Sequence, residues 1–157
     1  MDEDPLKAVR SKKEASINGC MQLLKEKKVE AVFSAGSTGA TLISAITILG
    51  KQRGVIRPAI ASVLPTIERS VILLDSGASL DVKPKVLYQF AVMGSKLAEA
   101  LFDIESPKIG LLNNGEEESK GRELEKSAFK LLNSSSLNFV GNVEGRDFAT
   151  NKVDVFV

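Results

Sequence analysis

Short apolar runs recur along this chain without the alternation of a half-exposed strand. Val71-Ile72-Leu73-Leu74 and Ile109-Gly110-Leu111-Leu112 carry no polar side chain, and the stretch from Val153 to Val157 is apolar except at Asp154. Side chains of a strand point to opposite faces in turn, so such runs need cover on both sides. Segments of helical character separate them. Alternating strands and helices with doubly buried strands predict an α/β fold, a mostly parallel sheet covered by helices. The expected strands are Val29 to Ser34, Ala59 to Leu64, Val71 to Asp75, Lys108 to Leu112, Leu137 to Val140 and Val153 to Val157. The expected helices fill the first thirty residues, Ala40 to Leu49 with Gly50 as its C-cap, Pro84 to Phe102, and Lys120 to Leu132. In the Pro84 helix, Leu87, Phe90, Ala91, Leu97 and Leu101 are placed on or near one face. With 157 residues the chain is long enough for one domain with a real core.

Composition narrows the chemistry. The formal net charge is +1, there is no Trp and Tyr88 is the one tyrosine, so nucleic-acid binding is disfavoured. The apolar run from Ala40 to Leu49 is interrupted by Thr41, Ser44 and Thr47 and is too short to span a bilayer. The acidic opening Met1-Asp2-Glu3-Asp4-Pro5 lacks the form of a signal peptide. A single cysteine, Cys20, excludes an internal disulfide and reads as structural. The chain contains no histidine, which removes Ser-His-Asp and Cys-His catalysis and makes an ordinary zinc site improbable. No metal is expected. What remains is carboxylates, lysine, arginine, hydroxyls and backbone amides, a set suited to binding and charge stabilisation.

Ligands of open parallel sheets bind beyond the carboxyl ends of the strands, and loops of unusual content leave the predicted strands there. Ser34-Ala35-Gly36-Ser37-Thr38-Gly39 joins a strand to a helix; Ser37 or Thr38 can cap that helix, and the turn is either a tight capped connection or an anion cradle. It is neither a P-loop nor a dinucleotide fingerprint. Asp75, with Gly77 behind it, forms either a local turn or an orienting acceptor. Asn113-Asn114-Gly115-Glu116 leads to Lys120, placed at a helix N-terminus where a cation calls for a neighbouring anion. That anion is either the acidic run Glu116-Glu117-Glu118 or a bound phosphate or oxyanion. Gly141 to Asp147 supplies Asn142 and Glu144, and Arg146 and Asp147 are expected to pair across the turn. Lys83 is expected in solvent or facing the same crevice.

Taken in order, Ser34–Ala40, Arg57-Pro58-Ala59, Leu64-Pro65-Thr66, Leu74–Ala78, Lys83-Pro84, Gln89–Ser95, Gly110–Asn113, Gly115-Glu116-Glu117 with Lys120-Gly121, and Asn138–Asp147 resemble the PlsX family of bacterial phosphate acyltransferases over nearly the whole chain. The resemblance implies transfer of a fatty acyl group from acyl-acyl carrier protein to inorganic phosphate, yielding acyl phosphate for phospholipid synthesis. It implies a three-layer α/β/α sandwich like isocitrate and isopropylmalate dehydrogenases, a homodimer, no organic cofactor, and a cytoplasmic protein associating peripherally with the inner membrane face. Lys120 matches the family's catalytic lysine. Ser34, Gly36, Ser37, Thr38, Gly39, Asp75, Gly77, Asn113, Gly115, Glu116 and Asn142 are the implied phosphate- or substrate-binding positions. Ser37, Ser76, Ser79 and Asn114 depart from the family's usual residues. The family's opening strand and closing Gly-Asn loop are not found, so the chain is expected to be a central piece of a larger domain and poorly soluble by itself. The alternatives are a paralogue that binds carrier protein or phosphate without turnover, and a transferase using coenzyme A.

Overall fold

The computed structural model describes residues 4–77 and 81–157. Ala78, Ser79 and Leu80 lie outside the described residues, and with them the Ser79 departure. The chain resolves into two units, Met1–Pro58 and Ala59–Val157.

The first unit is helical. Helix α1 (Pro5–Ser11) begins with proline at its first turn, where a missing N–H costs nothing, and Asp4 caps it by accepting the Lys7 amide. Helix α3 (Thr38–Ile48) packs against both α1 and helix α2 (Ser16–Lys25). A polar knot joins them: Ser44 Oγ donates to Asn18 Oδ1 at 2.7 Å, while Asn18 Nδ2 donates to the carbonyls of Val9 and Lys12, each at 3.1 Å. Ser44 and Asn18 are buried, so their hydroxyl and amide are satisfied in one another. Gly50 follows α3 with φ +84° and donates its N–H to the Ile46 carbonyl, the expected glycine stop. The expected strand at Val29 to Ser34 does not form. A strand exists through its ladder, and this segment has no strand partner among the described residues; Phe33 is 93% exposed.

The second unit is the predicted α/β fold. A mostly parallel sheet has the order β1-β2-β5-β3-β4, built from β1 (Ser62–Pro65), β2 (Ser70–Leu73), β3 (Ile109–Leu112), β4 (Phe139–Val143) and β5 (Val155–Phe156). The pairs β2–β5, β5–β3 and β3–β4 are parallel. The pair β1–β2 is antiparallel, a hairpin closed by the Thr66 amide on the Arg69 carbonyl at 3.0 Å. The turn from Thr66 to Arg69 is too short for the crossover a parallel pair requires.

Helices α4 (Pro84–Phe102) and α5 (Glu123–Asn133) pack on the sheet and on each other. The buried stripe of α4 is Val86, Phe90, Ala91, Gly94, Ser95 and Ala98. Leu101, expected on that face, is 54% exposed, because the stripe advances in steps of about one turn and ends at Ala98. Gly94 sets the approach of α4 to β5: a Cβ there would stand 2.5 Å from Val155 Cγ1. Ile72, Ile109, Leu111 and Val155 form the core beneath the helices, while Val71, Val143, Val153 and Phe156 form a second cluster with Phe148 stacked on Phe156. The apolar runs are therefore covered on both sides, except at Leu112, which is 36% exposed at the end of β3.

Candidate active site

Because β2, β3, β4 and β5 run parallel, the loops after Leu73, Leu112 and Val143 leave one edge of the sheet, the carboxyl edge. Asp75 and Gly77, the segment Asn113–Lys120, and Asn142 with Glu144 are thereby brought to that edge within the second unit.

Asp75 orders its surroundings first. Its Oδ1 accepts the Ile60 amide at 2.8 Å, and Ser76 returns an N–H to the Ile60 carbonyl at 3.0 Å. These bonds fix the approach to β1. The other carboxylate oxygen, Oδ2, is buried and has no donor among the described residues. Gly77 follows with φ +102°.

The Asn113–Gly121 loop is tied at both ends. The Asn113 amide donates to the Val143 carbonyl at 2.8 Å, extending the β3–β4 ladder past its last paired residues. The Asn113 side chain accepts the Asn114 amide at 2.8 Å and donates to the Lys120 carbonyl at 3.2 Å. Asn142, buried at the end of β4, donates Nδ2 to the Glu117 carbonyl at 2.8 Å. That bond sets the orientation of the amide and leaves Oδ1 buried, with no donor among the described residues. A buried acceptor left unpaired costs about 1–3 kcal/mol.

Gly115 is buried and supports Lys120: a Cβ there would lie 2.8 Å from Lys120 Cγ and 3.1 Å from Cδ. The lysine stem lies over the glycine backbone, and a side chain at position 115 would displace it. The Lys120 ammonium is half-exposed, 4.0 Å from Glu117 Oε2.

Lys120 does not open a helix. Gly121 takes φ +84°, a left-handed conformation that breaks helical continuation, and α5 starts at Glu123 with Arg122 as its N-cap. The Arg122 amide donates to Glu125 Oε2 at 2.7 Å, and its guanidinium reaches Glu125 Oε1 at 2.7 Å. That hydrogen bond holds the Glu125 carboxyl below the usual carboxylate range. Glu123 and Glu125 in the first turn complement the helix dipole, so the N-terminus of α5 is met by its own carboxylates and Lys120 lies before it rather than on it. Beside this turn a cleft of about 390 Å³ is lined by Asn113, Asn114, Gly121, Arg122 and Glu125.

Salt bridges complete the edge. Arg146 Nε contacts Glu144 at 3.0 Å and its guanidinium lies 4.0 Å from Glu116. Asp147, expected to pair with Arg146, is buried and accepts the Glu144 amide at 2.9 Å, with Lys152 at 3.6 Å. The short helix Gly145–Ala149 turns Arg146 outward and Asp147 inward, which separates the two side chains. Lys83 is exposed. Lys152 was not anticipated by any motif; its only signal in the sequence is a cation just before a buried strand.

In the first unit, Ser37 caps α3 as expected, accepting the Ala40 amide at 3.4 Å. Ser34 Oγ accepts the Gly36 amide at 3.2 Å and the Thr41 hydroxyl at 3.4 Å. Ser34, Gly36, Ser37 and Thr41 line a cleft of about 380 Å³, with Cys20 and Phe33 on its wall. Thr38 and Gly39 sit in the first turn of α3, where backbone amides lack helical acceptors. Gly39 also lets α1 come close: a Cβ would meet Pro5 Cγ at 3.2 Å.

Residues 1–157 match the family described as fatty acid synthesis protein. The chain belongs to that family. It is 52% identical over 157 residues to a phosphate acyltransferase of Desulforamulus reducens, covering 100% of this chain and 47% of the relative. It is 51% identical over 160 residues to a phosphate acyltransferase of Gloeothece citriformis, covering 100% of this chain and 46% of that relative. A protein of the same name from Nostoc punctiforme is likewise 51% identical over 160 residues, with 100% and 47% covered. The chain thus spans about half the length of the curated relatives it matches. Membership of the fatty acid synthesis protein family agrees with the sequence resemblance, and the matched span includes every loop described above. No described helix is long and apolar enough to cross a membrane.

Proposed function

We propose that this chain carries part of the active site of a phosphate acyltransferase that moves a fatty acyl group from acyl carrier protein to inorganic phosphate. The single observation that carries the reading is the carboxyl-edge constellation: an ammonium on a glycine floor, Lys120 over Gly115, in a loop anchored by buried Asn142. The name shared by relatives at about 50% identity supports the reaction class.

The chemistry needs little from a proton shuttle. A phosphate oxygen attacks the thioester carbonyl, a C–O bond forms, negative charge gathers on the former carbonyl oxygen, and the C–S bond then breaks to release carrier-protein thiolate. Phosphate is partly dianionic at neutral pH, so it needs positioning more than activation. Lys120 stabilises the charge on phosphate or on the tetrahedral oxyanion. Asn142 Oδ1 is suited to accept the P–OH of hydrogen phosphate, while Asn113, Gly115 and Glu116 keep the loop in place. Asp75 and Gly77 shape the same edge. In the first unit, Ser34, Gly36, Ser37, Thr38 and Gly39 form a second anion-holding element. The reading treats the chain as part of one acyltransferase domain, and carries with it a homodimer in the cytoplasm with peripheral membrane association, and no organic cofactor.

The test is phosphate-dependent release of free carrier protein from a long-chain acyl-acyl carrier protein by the full-length protein. Release that requires phosphate and falls at least about a hundredfold in Lys120→Ala supports the assignment. Equal rates with and without Lys120 refute it. Acyl transfer from coenzyme A in preference to carrier protein refutes the donor, and binding without turnover identifies the paralogue alternative.

A further inference from the structure

We propose that Lys152 is a positioning residue that clamps the Gly115–Lys120 turn and thereby sets the place of Lys120; the functional part of this inference rests on the acyltransfer reading. Lys152 lies between the short helix Gly145–Ala149 and β5, far along the chain from the turn. Its Nζ is 2.8 Å from Glu116 Oε1 and 3.6 Å from Asp147 Oδ2. One ammonium therefore joins the loop after β3 to the helix after β4.

The two ends of the clamp differ. Asp147 is buried and already accepts the Glu144 amide, so it is a fixed post. Glu116 is exposed and follows directly on Gly115, whose backbone is the surface that the Lys120 stem crosses. Holding Glu116 against a fixed post holds that surface. The turn's neutral ties include Asn142 to the Glu117 carbonyl, Asn113 to the Lys120 carbonyl and the Lys120 amide to the Glu117 carbonyl. Lys152 adds a charged tie to Glu116, shorter at 2.8 Å than the 4.0 Å approach of Arg146.

Charge makes the clamp consequential. Glu116, Glu117, Glu118, Glu144 and Asp147 gather at this edge, against Lys120, Arg146 and Lys152. Without Lys152, Glu116 and Asp147 lose the cation between them, and their repulsion drives the turn outward. Arg146, 4.0 Å from Glu116 and engaged with Glu144 at 3.0 Å, compensates weakly. The hydrogen bond from Lys152 to Glu116 also holds the lysine pKa above its ordinary value.

The experiment compares full-length wild-type protein, Lys152→Met, Lys152→Arg and Lys120→Ala. Hydrogen exchange is followed at the amides of residues 117–120, with those of β3 and β5 as reference. Turnover is measured with inorganic phosphate and long-chain acyl-acyl carrier protein. Lys152→Met is expected to speed exchange in the turn about fivefold and leave the strands unchanged. It is expected to lower kcat by a similar factor at unchanged KM for the acyl donor, and Lys152→Arg to restore most of both. Unchanged exchange in the turn overturns the clamp. Faster exchange spread equally over turn and strands also overturns it, since that is a general structural role. Faster exchange in the turn with unaltered kcat, in an enzyme that Lys120→Ala inactivates, overturns the positioning role. Wild-type protein without phosphate-dependent turnover overturns the acyltransfer reading instead, and the exchange data still decide the clamp.

Discussion

Gly121→Ala probes the joint between the candidate site and α5. The backbone at 121 has φ +84°, where an L-side chain costs about 1–2 kcal/mol. Alanine would recover about 0.4–1 kcal/mol by restricting the unfolded chain. Its methyl would stand 2.7 Å from Glu125 Cβ and 2.8 and 2.9 Å from Asn113 Oδ1 and Nδ2. Crowding of that degree in a packed setting costs about 1–3 kcal/mol. The net expectation is a loss of about 1–4.5 kcal/mol, read from urea denaturation at unchanged m-value. Asn113→Ala removes two of the three close contacts, so the double variant should be less unstable than the sum of the singles by about 0.5–1.5 kcal/mol. Strict additivity, or a Gly121→Ala protein as stable as wild type, would refute the close packing of Asn113 against this glycine.

Other perturbations reach different parts of the molecule. Ser44→Ala leaves Asn18 Oδ1 buried without its 2.7 Å donor and should cost about 1–3 kcal/mol by thermal or urea unfolding, whereas an exposed control such as Ser134→Ala should be neutral within about 0.5 kcal/mol. Arg69→Ala strips the 2.7 Å partner from Asp154, whose side chain is 3% exposed; a loss of about 1.5–3 kcal/mol is expected, and Asp154→Asn in the same background should recover part of it. The Glu125 carboxyl is held low by Arg122, so its contribution is present above the unfolded carboxylate range and disappears as pH falls through the lowered folded value. The stability gap between wild type and Glu125→Gln should therefore close in acid; a gap constant from pH 7 to pH 2 would exclude the linkage. Lys152 has the opposite sign: its raised pKa contributes below the ordinary lysine value and is lost as pH climbs through the folded one, so the gap to Lys152→Met should narrow in strong alkali.

The runs at Val71, Ile109 and Val153 announced the sheet because burial on both faces forbids polar alternation, and Pro84 announced α4 because proline suits a first turn. Ser37 was legible as a cap for the same local reason. What failed was whatever depended on a distant partner. Val29 to Ser34 has the composition of a strand, yet composition cannot provide a neighbour to bond with. The segment from Lys120 has helical composition, yet α5 starts at Glu123 because Gly121 takes a left-handed conformation, which glycine permits and only the surrounding fold selects. Adjacency suggests pairing Asp147 with Arg146, but the short helix carrying both separates their directions, and the cation Asp147 meets is Lys152. Local capping is written in neighbouring residues; ion pairs across loops are set by where strands end.

The strand order has a consequence for how the molecule is made. The sheet's middle member, β5, is the last to be synthesised of the five, and it receives bonds on both sides: Ile72 N to the Asp154 carbonyl at 2.9 Å, and Val155 N to the Lys108 carbonyl at 3.0 Å. Until it emerges, β2 and β3 present unpaired apolar edges toward each other. At roughly 5–20 residues per second, the hairpin β1–β2 waits several seconds on the ribosome for its neighbour. During that interval the nascent chain offers an open strand edge to other chains. Chaperone dependence and codon pace between Pro84 and Val153, more than equilibrium stability, should then govern how much of the protein reaches its native state in the cell.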